Sequence, residues 1–230
     1  MSRIITVAAV STIVSSFWAA APADASMIFQ QRTSTLTASG LTCGNFSCST
    51  IGSTTTGVTD FAPYSDSLSY MDSSTATQQS TLSATQIEVK SHAMGYPSSA
   101  GGADSYFSVQ FSLDDTERYS FTGISMNDSG SGKAQIELIG PNGFDLTQQE
   151  ILQADPAYNS YSVSGSGTLG PGIYTLVVDA KAVGPGHNYT QTWADAQAEL
   201  NLQPVPLPAA GLLLLTGLGP LGFLRRARAT

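Results

Sequence analysis

Two histidines, His92 in VKSHAMGY and His187 in GPGHNYT, and two close cysteines, Cys43 and Cys48 in LTCGNFSCST, are the residues of this chain best suited to chemistry. With the many serines and aspartates, a Ser-His-Asp set can be assembled on paper, and its chemistry would be acyl transfer. Its local signature is missing. No G-x-S-x-G elbow occurs, and neither histidine stands in a motif that assigns it the role of a base. Histidines in turns read as solvated surface residues, so no catalytic residue and no enzymatic activity is expected.

The remaining candidates are weaker in kind. Cys43 and Cys48 flank Gly44 and Asn45, and outside the cell such a pair forms a small disulfide loop. Closing so few residues stabilises the fold by on the order of 2 kcal/mol at most. A lone C-x4-C with no second ligand pair makes a poor metal site. Asp114, Asp115 and Glu117 could serve calcium, but EF-hand spacing is absent and a solvated hairpin tip is the plainer reading. No metal and no cofactor is expected. SGSGTLGPG lacks the GK[ST] of a phosphate cradle and reads as a corner between strands. Trp193, with Tyr158, Tyr161 and Tyr189 near loops, offers an aromatic platform for stacking on a sugar face. Partly buried edge aromatics are the competing reading.

The elements that must hold these residues are strands. From Thr81 onward short runs alternate apolar and polar residues, separated by Gly, Pro, Asn and Asp. In SYFSVQFSL, Phe107, Val109, Phe111 and Leu113 share one face; in TWADAQAELNL, Ala194, Ala196, Ala198, Leu200 and Leu202 do the same. Such small inward residues imply a closely facing sheet. In RYSFTGISM the apolar parity switches from Tyr119 and Phe121 to Ile124 and Met126, which predicts a β-bulge at Gly123. Pro141-Asn142-Gly143 predicts a tight turn. LTQQEILQADPAYN is the one helical candidate, with Leu146, Glu150 and Ile151 at helical spacing and Pro156 as its limit. The sum is all-β: an antiparallel two-sheet sandwich of jelly-roll or immunoglobulin-like type over 81–203.

Residues 31–80 differ in composition. Twenty-two of these fifty residues are Ser or Thr, which leaves little apolar surface to offset the entropy of ordering. Segment 26–80 is therefore expected to be irregular and loop-rich, with one or two edge strands and the small disulfide loop. A glycosylated mucin-like stalk is the functional reading of the same composition.

Both ends read as targeting segments. Residues 1–25 begin with Arg3, continue apolar to about Ala20 and finish in Ala23-Asp24-Ala25, the layout of a secretory signal peptide with its helix. Between the two ends, 26–203 carries five basic and sixteen acidic residues, a net charge of −11. A surface so short of Lys and Arg cannot neutralise phosphates, which excludes nucleic acid as a partner.

At the other end Val205-Pro206-Leu207-Pro208-Ala209 opens an uncharged run reaching Leu224, followed by Arg225, Arg226 and Arg228. A sixteen-residue helix spans about 24 Å, somewhat less than the ~30 Å hydrocarbon core. The arginines match the positive-inside rule for a signal-directed chain. This order resembles the C-terminal sorting signal of the PEP-CTERM family, in its VPLPA variant. The resemblance covers 204–230 and implies recognition by an exosortase in a Gram-negative bacterium, transient membrane insertion through the C-terminal transmembrane helix, and cleavage near the Pro motif. It carries over no activity. An ordinary single-span anchor that is never cut is the competing reading.

The expectation is thus a protein secreted across the inner membrane, membrane-anchored before processing, and at the cell surface or in the extracellular matrix after it. Its role would be structural or interactive, associated with exopolysaccharide or biofilm. A carbohydrate-binding sandwich module is the alternative, and an extracellular hydrolase comes third.

Overall fold

Among the described residues the alternation becomes twelve strands. The computed structural model describes residues 25–43, 48–71, 73–96, 101–127, 132–149, 159–183 and 192–205. The strands are β1 (Ile28–Cys43), β2 (Cys48–Val58), β3 (Tyr64–Tyr70), β4 (Ser74–Leu82), β5 (Gln86–Gly95), β6 (Gly102–Leu113), β7 (Glu117–Asn127), β8 (Gly132–Ile139), β9 (Asp145–Gln149), β10 (Asn159–Leu169), β11 (Gly172–Val183) and β12 (Thr192–Pro204). They form two six-stranded antiparallel sheets. The back sheet has the order β2-β1-β6-β11-β8-β9, and the front sheet β10-β7-β12-β5-β4-β3. The sandwich expected from the alternation is present.

Its core is graded. At one end Phe111, Phe121, Leu138, Leu169, Leu200 and Leu202 are buried, with Phe111 stacked on Tyr174 at 5.6 Å between ring centroids. Each such side chain gains about 1.5–3 kcal/mol on burial. At the other end the core is Ala38, Ala76, Ala93, Ala103, Ala134, Ala180 and Ala194. There the sheets come close enough to hydrogen-bond to each other. Ser74 Oγ donates to the Ser39 carbonyl and accepts from the Ser39 amide, both at 3.0 Å. Ser105 Oγ donates to the Thr77 carbonyl at 2.9 Å, and Asn127 Nδ2 to the Gly132 carbonyl at 2.7 Å. Gly132 is needed there: a Cβ on it would sit 2.3 Å from the Trp193 carbonyl oxygen of the facing sheet.

Among the described residues one cation lies inside. Arg32 of β1 is 1% exposed. Its Nη1 donates to the carbonyls of Asp60 (2.9 Å) and Ala62 (2.6 Å) on the β2–β3 connection, its Nη2 to Ser80 Oγ (2.6 Å) and its Nε to Ser34 Oγ (3.1 Å). The guanidinium also lies 5.6 Å from the Phe107 ring centroid and 5.7 Å from that of Tyr64. Oxygen acceptors and ring faces replace the water it loses.

Four sequence expectations change. Segment 26–80 is not a loop-rich lead-in, because β1 to β4 lie in it and β1 pairs with both β2 and β6. Threonine favours strands, the inward Ser74 hydroxyl finds an acceptor across the sandwich, and those of Ser34 and Ser80 accept from Arg32, so scarce apolar surface does not prevent folding. Gly123 is no bulge either. The β7 register runs unbroken against β10 and β12, so Ile124 and Met126 point outward with Tyr119 and Phe121 inward. A Cβ on Gly123 would meet Val163 at 2.8 Å and Ile136 at 3.1 Å, so neighbouring side chains fill the place its own would take. Leu146 belongs to strand β9 rather than to a helix; Glu150, Ile151 and Pro156 lie outside the described residues. Finally, β12 continues through Pro204, paired with Glu117, so the fold reaches into the segment assigned to the tail. Asn142 with φ 57° and Gly143 with φ 78° form the expected turn after Pro141. The signal and transmembrane helices lie outside the described residues.

Candidate functional site

Because every second residue of a strand faces solvent, the outer side of the front sheet is set by register. Ser67 of β3, Thr77 of β4, His92 of β5 and Asp195 of β12 are successive cross-strand partners. One step along the strands the row reads Ser65, Gln79, Lys90 and Gln197, and continues to Ile124 of β7. These two rows line an open hollow of about 600 Å³. A second hollow of about 300 Å³ adjoins it, sharing Lys90 and Gln197 and reaching Thr122 and Ile124.

Charges within the hollow are paired or hydrogen-bonded, Asp66 accepting from the Tyr64 hydroxyl and the Ser67 amide. His92 Nδ1 lies 2.8 Å from Asp195 Oδ1, an ion pair when the imidazole is protonated. Lys90 Nζ lies 2.8 Å from Glu88 Oε1 at the rim, and the neighbouring Glu88 carboxylate raises the lysine pKa. Gln86 and Asn201 both donate to Glu199 Oε1, at 3.1 and 2.8 Å, which fixes the rim beyond the second hollow. Among the described residues the side chains of Thr77, Gln79 and Gln197 have no hydrogen-bond partner within the protein, so their donors and acceptors face the hollow.

His92 therefore stands on a strand beside a carboxylate, not in a solvated turn. A His-Asp pair bonded through Nδ1 is two-thirds of a nucleophilic triad. The third member is lacking: among the described residues no hydroxyl bonds to the other imidazole nitrogen. The arrangement can bind polar groups, and the pair is held by rung geometry that a search for local motifs cannot see. The signal that could have revealed it is parity: His92 and Asp195 each alternate with buried alanines, Ala93, Ala194 and Ala196.

The other candidates are distributed. Trp193 is half-buried on this same face opposite Met94, two residues from Asp195, and does not line the hollow. Tyr161 is exposed at the β10 edge, while Tyr158, Tyr189 and His187 lie outside the described residues. Cys43 and Cys48 are direct cross-strand partners at the end of the β1–β2 hairpin. Asp114 and Asp115 are exposed at the β6–β7 turn, but Glu117 points inward and is 5% exposed, and burial followed by Asp115 raises its pKa. Among the described residues no three His, Cys, Asp or Glu side chains group as a metal site. SGSGTLGPG ends β10 and turns into β11, as expected of a corner. Of the tail motif Val205 is described, and Pro206, Leu207, Pro208, Ala209, Arg225, Arg226 and Arg228 lie outside the described residues.

On the back sheet, Asp179 of β11 neighbours Asp104 of β6. Burial, then the Asp104 charge and the proton the two carboxyls can share, push Asp179 up to about 7, against Lys133 and Lys181.

No family model and no curated protein matches the chain. Among solved structures it is similar to a cyclase from Fischerella sp. TAU in complex with 4-(1H-indol-3-yl)butan-2-one, at 15% identity and a TM-score of 0.23, covering 51% of this chain and 77% of that one. It is also similar to a structure of infectious bursal disease virus, Gx strain, at 12% identity and a TM-score of 0.26, covering 78% of this chain and 56% of that one.

Proposed function

We propose that this chain is a non-enzymatic surface or matrix protein of a Gram-negative bacterium, exported by its N-terminal signal and sorted by an exosortase through its VPLPA tail. The carrying observation is the order Pro motif, uncharged run, arginine cluster at 205–228. The place where the sandwich stops supports it. β12 ends at Pro204, one residue before Val205, so Pro206 and Pro208 follow directly on the last rung and keep any helix from running back into the fold. Proline disfavours helix in the residue before it, and an extended segment just outside the membrane is what a cleaving enzyme requires. The arginines would stay on the cytoplasmic side while the tail is inserted.

The jelly-roll form of the sandwich is part of this reading. The connections β5–β6, β6–β7, β7–β8, β10–β11 and β11–β12 each step from one sheet to the other, which supports a wrapped rather than a meandering chain. A surface that carries a net −11 over 26–203 favours solubility outside the cell and association with uncharged matrix rather than with nucleic acid. Intact mass of the protein recovered from cells and from medium tests the proposal. Loss of the chain beyond 206–209, together with loss of 1–25, is the expected result, and mature protein retaining Thr230 would refute sorting.

A further inference from the structure

We propose that the hollow on the outer face of the front sheet is a binding site for a neutral polysaccharide chain. The proposal rests on the reading of the protein as a surface or matrix component and names the partner of that component.

Every side chain lining the larger hollow is polar or charged, and the smaller one adds a single exposed large apolar side chain, Ile124, which disfavours lipid and hydrophobic peptide, whose binding needs more buried hydrocarbon. In the larger hollow the charged side chains are all engaged: His92 with Asp195, Lys90 with Glu88, and Asp66 as acceptor from the Tyr64 hydroxyl and the Ser67 amide, on a protein that is otherwise strongly acidic. An anionic polymer would meet the acidic surround at a cost, and a cationic one would find no free carboxylate cluster.

What the hollow offers is hydroxyls and amides. Thr77, Gln79 and Gln197 present donors and acceptors that no protein group uses, and the His92–Asp195 pair adds an acceptor held rigid by its partner. Paired donors and acceptors of this kind match vicinal sugar hydroxyls, each of which both donates and accepts. The His92–Asp195 pair is already held by its own bond and loses little entropy on binding.

Shape points to a polymer rather than a monosaccharide. The two adjoining hollows cross the sheet at right angles to its strands, from Ser65 on β3 to Ile124 on β7. Four strand spacings of about 4.8 Å make a trough roughly 19 Å long, open to solvent along its length. Such a trough holds several consecutive sugar units and lets the chain continue past both ends.

Binding of the secreted protein to dextran, mannan, xylan and mixed-linkage glucan, measured by affinity electrophoresis and calorimetry, tests the site, with alginate and chitosan as the anionic and cationic comparisons. At least one neutral polymer is expected to bind, and D195A and Q197A are each expected to weaken it tenfold or more while leaving the melting temperature within a few degrees. Q110A, on the outer face of the back sheet, is expected to bind as the parent does. Failure of all four neutral polymers to bind, binding that survives both front-sheet substitutions, or a preference for alginate or chitosan would each overturn the proposal. The C-terminal mass is read on the same material. Trimmed protein without binding removes this site and leaves sorting intact, whereas untrimmed protein that binds does the reverse.

Discussion

Arg32 Nη2 donates to Ser80 Oγ at 2.6 Å across the space between the two sheets, so a charged group of β1 is held by a neutral acceptor on β4. Burial lowers the pKa of this guanidinium, while the charges of Asp60 and Tyr64 oppose that shift. Replacing Arg32 with Ala would empty the site and strand two carbonyls and two hydroxyls. A loss of about 3 kcal/mol or more is expected in denaturant unfolding. R32K keeps the charge but cannot reach all four oxygens, and it is expected to recover less than half of that loss.

The Asp179–Asp104 pair sets a pH dependence. The folded Asp179 value of about 7 lies above the 3.8 of an ordinary aspartate, so between these limits the native state holds more protons than the unfolded chain. Its contribution to stability is then greatest at low pH and falls as pH rises toward and through 7. D179N removes the titration. At pH 8 the variant is expected to be more stable than the parent by on the order of 2 kcal/mol, and at pH 4 by much less. Melting temperatures of the two proteins across that range check the sign, and a constant difference would contradict it.

Two glycines separate backbone from side-chain crowding. G132A places its methyl against the Trp193 carbonyl, which cannot yield without moving a strand, and a loss of about 2–4 kcal/mol is expected. G123A meets only the side-chain ends of Val163 and Ile136, and a loss of about 1 kcal/mol is expected. Thermal unfolding of both variants orders them, and equal losses would refute the distinction.

The register of β1 and β2 makes Cys43 and Cys48 cross-strand neighbours. Protein from the medium is expected to resist alkylation until it is reduced and then to take up two labels. The double variant C43A/C48A is expected to lose no more than about 2 kcal/mol, since the bridged loop is short.

How far the sequence speaks for this fold depends on what fills the alternate positions. Where they are Phe, Val and Leu, as from Phe107 to Leu113, alternation reveals strand, face and burial together. Where they are Ser and Gln, as at Ser74, Gln78 and Ser80 of β4, the same alternation is present but carries no apolar signal. The bonds that offset burial, such as Ser74 to Ser39, join residues thirty-five apart and exist only once the sheets have met. Ile124 misled for the opposite reason, being a large apolar residue on an exposed face. The hollow was illegible because its residues come from four strands and share only a rung. Arg32 has no carboxylate near it in sequence to announce its burial.

The position of β12 has a mechanical meaning. Pro204, where the tail departs, ends a strand flanked by β5 from Thr192 to Asn201 and by β7 from Ala194 to Pro204. A pull transmitted through the tail runs along this strand, so it strains the rungs on both sides in shear and all at once. Peeling them one at a time would need an edge strand, and β12 is not one. A protein tethered to a surface from that end under flow would load its fold in the direction in which antiparallel rungs resist together.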